Sequence, residues 1–313
     1  MKIASSILLV FAVLLVAPKA TAETGPWQTV PENGIISKPG RYLVDHDIVT
    51  DRTTGIKIDA DNVTLDLGGH AVRYTGEPKP GSFGIASPGR KRIAVYNGTI
   101  GNFWFNMHCT QNEKLRIRDL HFDNIPYIGV NVAQSNDVVI SDNRFDNFRY
   151  DLPKDEINHY LVAINIGAKS AVITNNQFIA DPQMAASDVD IETVCVLFSA
   201  EVTKECLVAK NVIEASDVLP KSYGIWLATN GQATIVDNTI RNMKYGVCLA
   251  GNASALVGYN RFNAESKSNP PIETIGISAS GAKEVLNIKN SFEGVNVPVT
   301  APPTKDSVKT TGG

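Results

Sequence analysis

The side chains that could carry chemistry in this 313-residue chain are mainly histidine, tyrosine, lysine and arginine residues in its first two-thirds. Removing a proton next to a carboxyl group requires a base of tuned pKa, an acid, and a cation that neutralises the carboxylate. The candidates are His108 and His159 as bases, Tyr160 and Tyr127 as acids, and Lys57 and Arg144 as partners of the carboxylate. His108 is the leading base.

An acidic segment offers a second kind of chemistry. Asp188, Asp190 and Glu192 follow one another closely, and hard cations such as calcium bind several oxygen ligands. The segment therefore predicts a calcium site. The alternative is an ordinary solvated loop, because most runs of charge on loops are solvated.

Several established catalytic patterns are missing from the sequence. It has no Ser-His-Asp arrangement, no glycine-rich phosphate loop and no dinucleotide fingerprint. It also lacks the Asn-Thr-Asp, Asp-Asp and Gly-His-Gly pattern of polygalacturonases and the Trp-Ile-Asp-His strand of pectate lyases. Paired-carboxylate glycoside hydrolysis is therefore disfavoured.

The N-terminus has the pattern of a signal peptide. Lys2 precedes an apolar run from Ile3 to Val16, and Ala20-Thr21-Ala22 matches a cleavage site. Cleavage removes two lysines and changes the formal net charge from −3 to −5, which disfavours nucleic acid as a partner. We expect a periplasmic or secreted protein without a membrane span after cleavage.

The four cysteines fit neither a zinc site nor a redox motif. Cys109, Cys195, Cys206 and Cys248 have no Cys-x-x-Cys spacing. They are interpreted as small buried hydrophobic residues, with a Cys195–Cys206 disulfide as the alternative in an oxidising compartment.

A repeated phrase determines the predicted fold. An apolar strand, a turn that usually contains Asn, and then x-Phe or x-Ile recur at spacings of 22 to 35 residues, from VYNGTI ending at Ile100 to NIKNSF ending at Phe292. The segments alternate with period two, which is typical of strands. Each unit therefore predicts one coil of a three-faced, all-β solenoid, with about nine coils in total.

A second phrase precedes the first in each unit, as in GIWL at 224–227. Since Ile225 and Leu227 point inward, Gly224 and Trp226 should point outward. Alignment of the coils predicts one outward column, formed by Lys57, Ala86, His108, Asn131, Asn165, Leu197, Trp226, Cys248 and Ser278. Asn106 should be one outward step before His108.

The turn asparagines and the phenylalanines are expected to stack along the solenoid axis. Asparagine tolerates the left-handed conformation of a tight corner and can pass amide hydrogen bonds between coils. The predicted stacks are Asn143, Asn176, Asn211, Asn238, Asn260 and Asn290, and inside them Phe122, Phe145, Phe178, Phe262 and Phe292. The predicted organisation is a signal peptide at 1–22, a cap at 23–50, the solenoid at 51–297 and a disordered tail at 298–313.

The GIxI and NxF coils between residues 50 and 295 resemble the right-handed parallel β-helix proteins of the pectin-lyase-like superfamily. That resemblance implies a right-handed parallel β-helix with a carbohydrate groove along one strand face. It does not specify the activity, since the superfamily contains lyases, hydrolases, epimerases and non-catalytic binding proteins.

The polar run His108, Asn131 and Asn165 suits a linear sugar chain, because its steps are about 4.8 Å. Trp226 could stack on a sugar face, and Asn106, Tyr127 and Arg144 are further candidate contacts. The alternative for the asparagines is an ordinary solvated position. We expect an exported protein that acts on a polysaccharide, as a uronate lyase or C5 epimerase if it is catalytic. The alternative is a non-catalytic polysaccharide-binding or surface scaffold protein.

Overall fold

The computed structural model describes residues 25–149, 160–180, 191–199, 205–228, 230–300 and 308–311, the last segment as backbone only. The strands are β1 (Trp27–Thr29), β2 (Ile35–Ile36), β3 (Gly40–Leu43), β4 (Ile48–Thr50), β5 (Thr54–Ile58), β6 (Val63–Asp66), β7 (Ala71–Tyr74), β8 (Phe83–Pro88), β9 (Lys91–Gly101), β10 (Phe105–Thr110), β11 (Glu113–Asp123), β12 (Ile128–Ser141), β13 (Arg144–Phe145), β14 (Tyr160–Ala168), β15 (Ala171–Thr174), β16 (Gln177–Ala180), β17 (Glu192–Phe198), β18 (Glu205–Ala209), β19 (Val212–Leu227), β20 (Gln232–Val236), β21 (Thr239–Leu249), β22 (Ser254–Gly258), β23 (Arg261–Asn263), β24 (Ile275–Ser278), β25 (Glu284–Ile288), β26 (Ser291–Glu293), β27 (Val297–Thr300) and β28 (Val308–Thr311). None of the described segments forms an apolar helix of membrane-spanning length.

The strands form three stacks of parallel strands, one for each face of the coil. Face A contains β2, β5, β8, β10, the start of β12, β14, β17, the ends of β19 and β21, β24 and β27. Face B contains β1, β3, β6, the starts of β9 and β11, the end of β12, β15, β18, β20, β22, β25 and β28. Face C contains β4, β7, the ends of β9 and β11, β13, β16, the starts of β19 and β21, β23 and β26.

The predicted asparagine ladder is confirmed. It contains Asn143, Asn176, Asn211, Asn238, Asn260 and Asn290, and each of the first five donates from Nδ2 to Oδ1 of the next at 2.9 to 3.0 Å. The predicted left-handed conformation lies one position earlier, because the residues with positive φ are Asp142, Asn175, Lys210, Asp237, Tyr259 and Lys289. The ladder residues bridge the corner between faces B and C with their side chains.

The predicted phenylalanine stack is confirmed in two parts. Phe145 lies between Phe122 and Phe178, with ring centroids 4.7 and 4.9 Å apart and both interplanar angles at 10°. Phe262 stacks on Phe292 at 5.1 Å. Isoleucines fill the two intervening coils at the same register position. Aromatic and β-branched side chains thus form one continuous apolar column inside the solenoid.

The last coil extends beyond the predicted end of the solenoid. Val297, Val299 and Thr300 pair in register with Ile275, Ile277 and Ser278 on β24. The prediction of a disordered tail from residue 298 is therefore wrong for residues 298–300. Val297 and Val299 are partly buried, whereas Pro298 is exposed.

The structure distinguishes between a Cys195–Cys206 disulfide and small buried hydrophobic cysteines. Cys195 on β17 and Cys206 on β18 are both buried and not joined by a disulfide. Burial raises the pKa of the Cys195 thiol to about 12, so this thiol stays neutral. The interpretation as small buried hydrophobic residues holds for Cys109, Cys195 and Cys206, whereas Cys248 is only partly buried.

Tyr259 is the least suitable residue among the left-handed corner positions. Its φ is 57° and its side chain is 50% exposed. Asparagine adopts this conformation more readily than tyrosine. We therefore expect Tyr259→Asn to raise the free energy of unfolding by about 0.5 to 1 kcal/mol, measured by urea denaturation. Asn175→Gly is the matched control, since Asn175 already suits its φ of 57°, and a decrease in Tyr259→Asn would contradict the expectation.

Candidate functional site

The predicted outward column exists on face A, in the predicted register. Parallel pairing joins Lys57 to Ala86, Ala86 to His108, His108 to Asn131 and Asn131 to Asn165. It continues through Leu197, Trp226, Cys248 and Ser278. The column therefore brings together, on consecutive coils, side chains that lie far apart in the sequence.

Most face A strands, such as β5, β8 and β10, also contain two consecutive inward residues, which the period-two alternation did not predict. Asn106 and Met107 on β10 are both fully buried. The predicted outward orientation of Asn106 is therefore wrong, and so is that of Gly224, which occupies the same position. Asn106 instead accepts a hydrogen bond from the Phe103 backbone N–H and donates one to the Asp123 carbonyl. It has a structural role at the corner between faces C and A.

This double inward step creates a second outward column on face A, which is apolar and aromatic. Its members are Phe83, Phe105, Ile128, Val162, Val194, Tyr223, Tyr245 and Ile275. Tyr223 stacks on Tyr245 with centroids 4.9 Å apart. Sequence analysis missed this column, although an apolar or aromatic residue directly before most of the repeated small residues was its signal.

The polar run His108, Asn131 and Asn165 forms a directed chain of hydrogen bonds. Asn165 Nδ2 donates to Asn131 Oδ1 at 2.7 Å, and Asn131 Nδ2 donates to His108 Nδ1 at 2.9 Å. Because Nδ1 of His108 accepts, the neutral imidazole carries its proton on Nε2. The run therefore presents a neutral N–H donor at its His108 end.

Aromatic side chains surround the other end of the column. Trp226 stacks on Tyr223 with centroids 4.6 Å apart and an interplanar angle of 19°. Tyr160, which is 37% exposed, lies 6.5 Å from Trp226. Ring surfaces of this kind pack against the C–H faces of sugars. Face A thus combines amide groups and aromatic surface along one line.

The family described as a right-handed beta helix region matches residues 33–190. This chain belongs to that family. The match shows that the solenoid is right-handed and confirms the predicted parallel β-helix. The number of coils remains a prediction.

Solved structures similar to this β-helix protein include the A-module of mannuronan C-5 epimerase AlgE4 from Azotobacter vinelandii. The two chains are 15% identical with a TM-score of 0.35, over 94% of this chain and 93% of that one. The catalytic domain of a GH87 alpha-1,3-glucanase in complex with nigerose is 11% identical with a TM-score of 0.29, over 92% and 70% of the two chains. No curated protein matches the sequence.

The predicted cations of the β-helix protein do not lie beside His108. Lys57 is two coils away in the same column, and its Nζ lies 3.4 Å from Asp59 Oδ2. Arg144 is on face C, where it donates to Asp146 and Gln177. The predicted contribution of Arg144 to the same groove is therefore wrong. Arg144 follows the corner between faces B and C, so its side chain lies on face C and not on face A.

The remaining predicted residues divide between face A and the part of the chain that the structure does not describe. Tyr127 lies at the edge of face A, where it stacks on Trp104 at 5.1 Å and meets Phe105 edge-on at 5.4 Å. Glu192 is on β17 beside Tyr160. His159, Asp188 and Asp190 lie outside the described residues, so calcium binding by Asp188, Asp190 and Glu192 remains a prediction.

A cluster of His121, Asp123 and Asp146 on face C was not predicted. Their ligand atoms lie within 4.8 Å of one another, but both carboxylates are already paired. Asp146 accepts from Arg144 at 2.6 Å and lies 2.7 Å from His121 Nε2, while Asp123 accepts from Arg73 and Asn147. Burial would raise the pKa of Asp146, but these hydrogen bonds outweigh it and hold the pKa below its usual value. The cluster fits an ion-pair network rather than a metal site.

His108 is expected to make stability depend on pH above the range in which carboxylates titrate. Its ring lies 4.8 Å from Phe83 and 5.1 Å from Phe105, and the resulting desolvation lowers its pKa below 6.5. The unfolded chain therefore takes up the proton first as the pH falls. The contribution of the neutral His108 imidazole to the free energy of unfolding is fully present above pH 6.5. It is lost as the pH falls from there through the pKa of His108 in the folded protein.

The measurement is the free energy of unfolding as a function of pH for wild type and His108→Asn. The variant keeps an oxygen acceptor for Asn131 Nδ2 but does not titrate, so its curve should be flatter just below pH 6.5. The paired carboxylates, whose pKa values lie below 3.8, act at lower pH and affect both proteins equally. Parallel curves for the two proteins would contradict the assignment.

Proposed function

We propose that this β-helix protein is an exported polysaccharide-binding protein that holds a linear glycan along face A. The observation that carries the proposal is the registered column that runs from His108 through Asn131 and Asn165 to Trp226. Its step of about 4.8 Å is comparable with the length of one pyranose unit. Successive sugars can therefore meet equivalent positions on successive coils.

The chemistry of face A supports binding to hydroxyl-rich chains. Asn131 is buried and joins its two neighbours, which leaves the N–H group of His108 Nε2 as a donor and Asn165 Oδ1 as an acceptor, both without net charge. Trp226, Tyr223 and Tyr160 supply the apolar ring surface. This combination of a few oriented polar groups with aromatic surface is typical of small-molecule and carbohydrate sites. The signal-peptide pattern supports export to the periplasm or outside the cell.

A second candidate function is uronate elimination or C5 epimerisation with His108 as the base. The observation that favours it is the desolvated imidazole, whose lowered pKa keeps it neutral near pH 7. Proton abstraction also needs a cation beside the carboxylate. Lys57 is engaged with Asp59 and Arg144 lies on face C. Binding without chemistry is therefore the function that the described geometry favours.

The test uses the chain from residue 23 onwards with alginate, pectate, glycosaminoglycans, mannans and glucans. Affinity electrophoresis measures binding, ultraviolet absorbance measures unsaturated uronates, and composition analysis measures epimerisation. We expect retention on at least one glycan without chemical change of that glycan. His108→Asn should weaken binding only about two- to fivefold, since the acceptor for Asn131 remains.

The outcomes separate the two candidate functions. An absorbance rise or a changed uronate composition that disappears in His108→Asn would establish the catalytic alternative. Retention of no glycan would contradict both. Tyr259→Asn is the control, because Tyr259 is an exposed aromatic residue at the corner between faces B and C.

A further inference from the structure

Two polar atoms on face A lack a hydrogen-bond partner in the described part of the chain. They are Asn165 Oδ1, an acceptor, and Trp226 Nε1, a donor. Both are shielded from water, so each unmade hydrogen bond costs about 1 to 3 kcal/mol. The Asn131 amide and His108 Nδ1 are engaged in the hydrogen bonds of the polar run. A ligand that satisfied both atoms would recover this free energy on binding.

The two atoms flank an apolar residue of the same column. Asn165 pairs with Leu197, and Leu197 pairs with Trp226. The two backbone positions are therefore two strand spacings apart, or roughly 9.6 Å. Asn165 and Trp226 are each partly exposed as whole residues although these two atoms are not, so a ligand above Leu197 reaches them only when the two side chains rotate. The result is an acceptor and a donor on either side of an apolar floor.

This arrangement fits the substituents of a neutral sugar ring. A hydroxyl group can donate to Asn165 Oδ1 and can also accept from Trp226 Nε1, whereas a carboxylate can only accept. The C–H face of the ring can pack on Leu197. Nearby, burial first and the Glu192 carboxylate second raise the pKa of Tyr223. That negative charge disfavours an acidic group at the same place.

Building on the proposed function, we infer that Asn165, Leu197 and Trp226 form a subsite for an uncharged hexopyranose unit. Because the Glu192 carboxylate acts on the neighbouring Tyr223, we expect this subsite to bind a neutral glycan more tightly than a polyuronate. The polar run orients the chain, and the subsite selects the substituents of one ring within it.

The experiment compares a polyuronate with its own carboxyl-reduced derivative, so that linkage and chain length are identical. Isothermal titration of the chain from residue 23 onwards should give at least about tenfold higher affinity for the reduced, neutral form. Added salt should leave binding of the neutral form unchanged. Tighter binding of the polyuronate would overturn the inference while leaving the proposed function intact. If no member of the larger glycan panel is retained, the proposed function itself fails.

A pair of conservative variants tests the donor in the subsite. Trp226→Phe keeps an aromatic ring but removes the N–H group, and should weaken binding of the neutral glycan about three- to tenfold. Trp27→Phe is the matched control, because Trp27 is exposed on face B. Equal affinities for Trp226→Phe and wild type would overturn the role of Trp226 Nε1. Thermal unfolding of each variant separates this effect from loss of structure.

Discussion

Replacing Asn211 by alanine is expected to lower the free energy of unfolding by about 3 to 5 kcal/mol. The Asn211 side chain is fully buried and makes hydrogen bonds to both neighbouring coils. Its Oδ1 accepts from the backbone N–H and Nδ2 of Asn176, and its Nδ2 donates to the Ile173 carbonyl and to Asn238 Oδ1. Alanine leaves several of these groups buried without partners.

The measurement is urea denaturation followed by far-ultraviolet circular dichroism. Asn263→Ala is the matched control, because Asn263 makes one exposed hydrogen bond of 3.3 Å to Glu293. The control should change stability by less than about 0.5 kcal/mol. Similar losses in the two variants would show that the ladder stabilises the solenoid no more than a surface amide does.

The stacked columns could be predicted from the sequence because a solenoid repeats the same local geometry in every coil. Once the Asn-x-Phe phrases were aligned, His108, Asn131 and Asn165 had to lie on consecutive coils. Insertions between phrases change the loops but not the register of the strands. Hydrogen bonding along the polar run follows from that register, since equivalent side chains are about 4.8 Å apart.

The errors arose where the chain departs from simple alternation. Strict period two placed Asn106 outward, but β8 and β10 each begin with an outward residue followed by two inward ones. The repeated small residue at the first inward position was the available signal. At Gly84 an added Cβ would lie 2.4 Å from the Asn106 carbonyl oxygen, so the neighbouring coil leaves no room there for a side chain.

Arg144 illustrates a different limit of the sequence. Its charge suggested that it pairs with a substrate carboxylate beside His108, but residues after the asparagine turn lie on face C. The charge of a side chain indicates only that it pairs with an opposite charge, and Arg144 donates a hydrogen bond to Asp146, two residues away. The face on which a charged residue lies depends on the position of the corners before and after it. Alignment of the phrases assigns that face only when each of these corners has been located.

Trp226→Ala is expected to weaken glycan binding about 30- to 100-fold, which is the largest effect that we expect on function. The indole stacks on Tyr223 at 4.6 Å and lies next to Tyr160, so it forms the centre of the aromatic surface on face A. Removing it takes away both the ring surface and the unpaired N–H group. Loss of this size is usual when a central, partly buried aromatic residue is truncated.

The affinity of the glycan retained most strongly in the panel is measured by isothermal titration for wild type, Trp226→Ala and Trp27→Ala. Trp27 lies on face B under the Arg41 guanidinium, so its removal tests whether loss of any exposed indole weakens binding. A large effect in Trp226→Ala alone places the glycan on face A. Equal affinities of Trp226→Ala and wild type would contradict a glycan that extends from the polar run across Leu197 to Trp226.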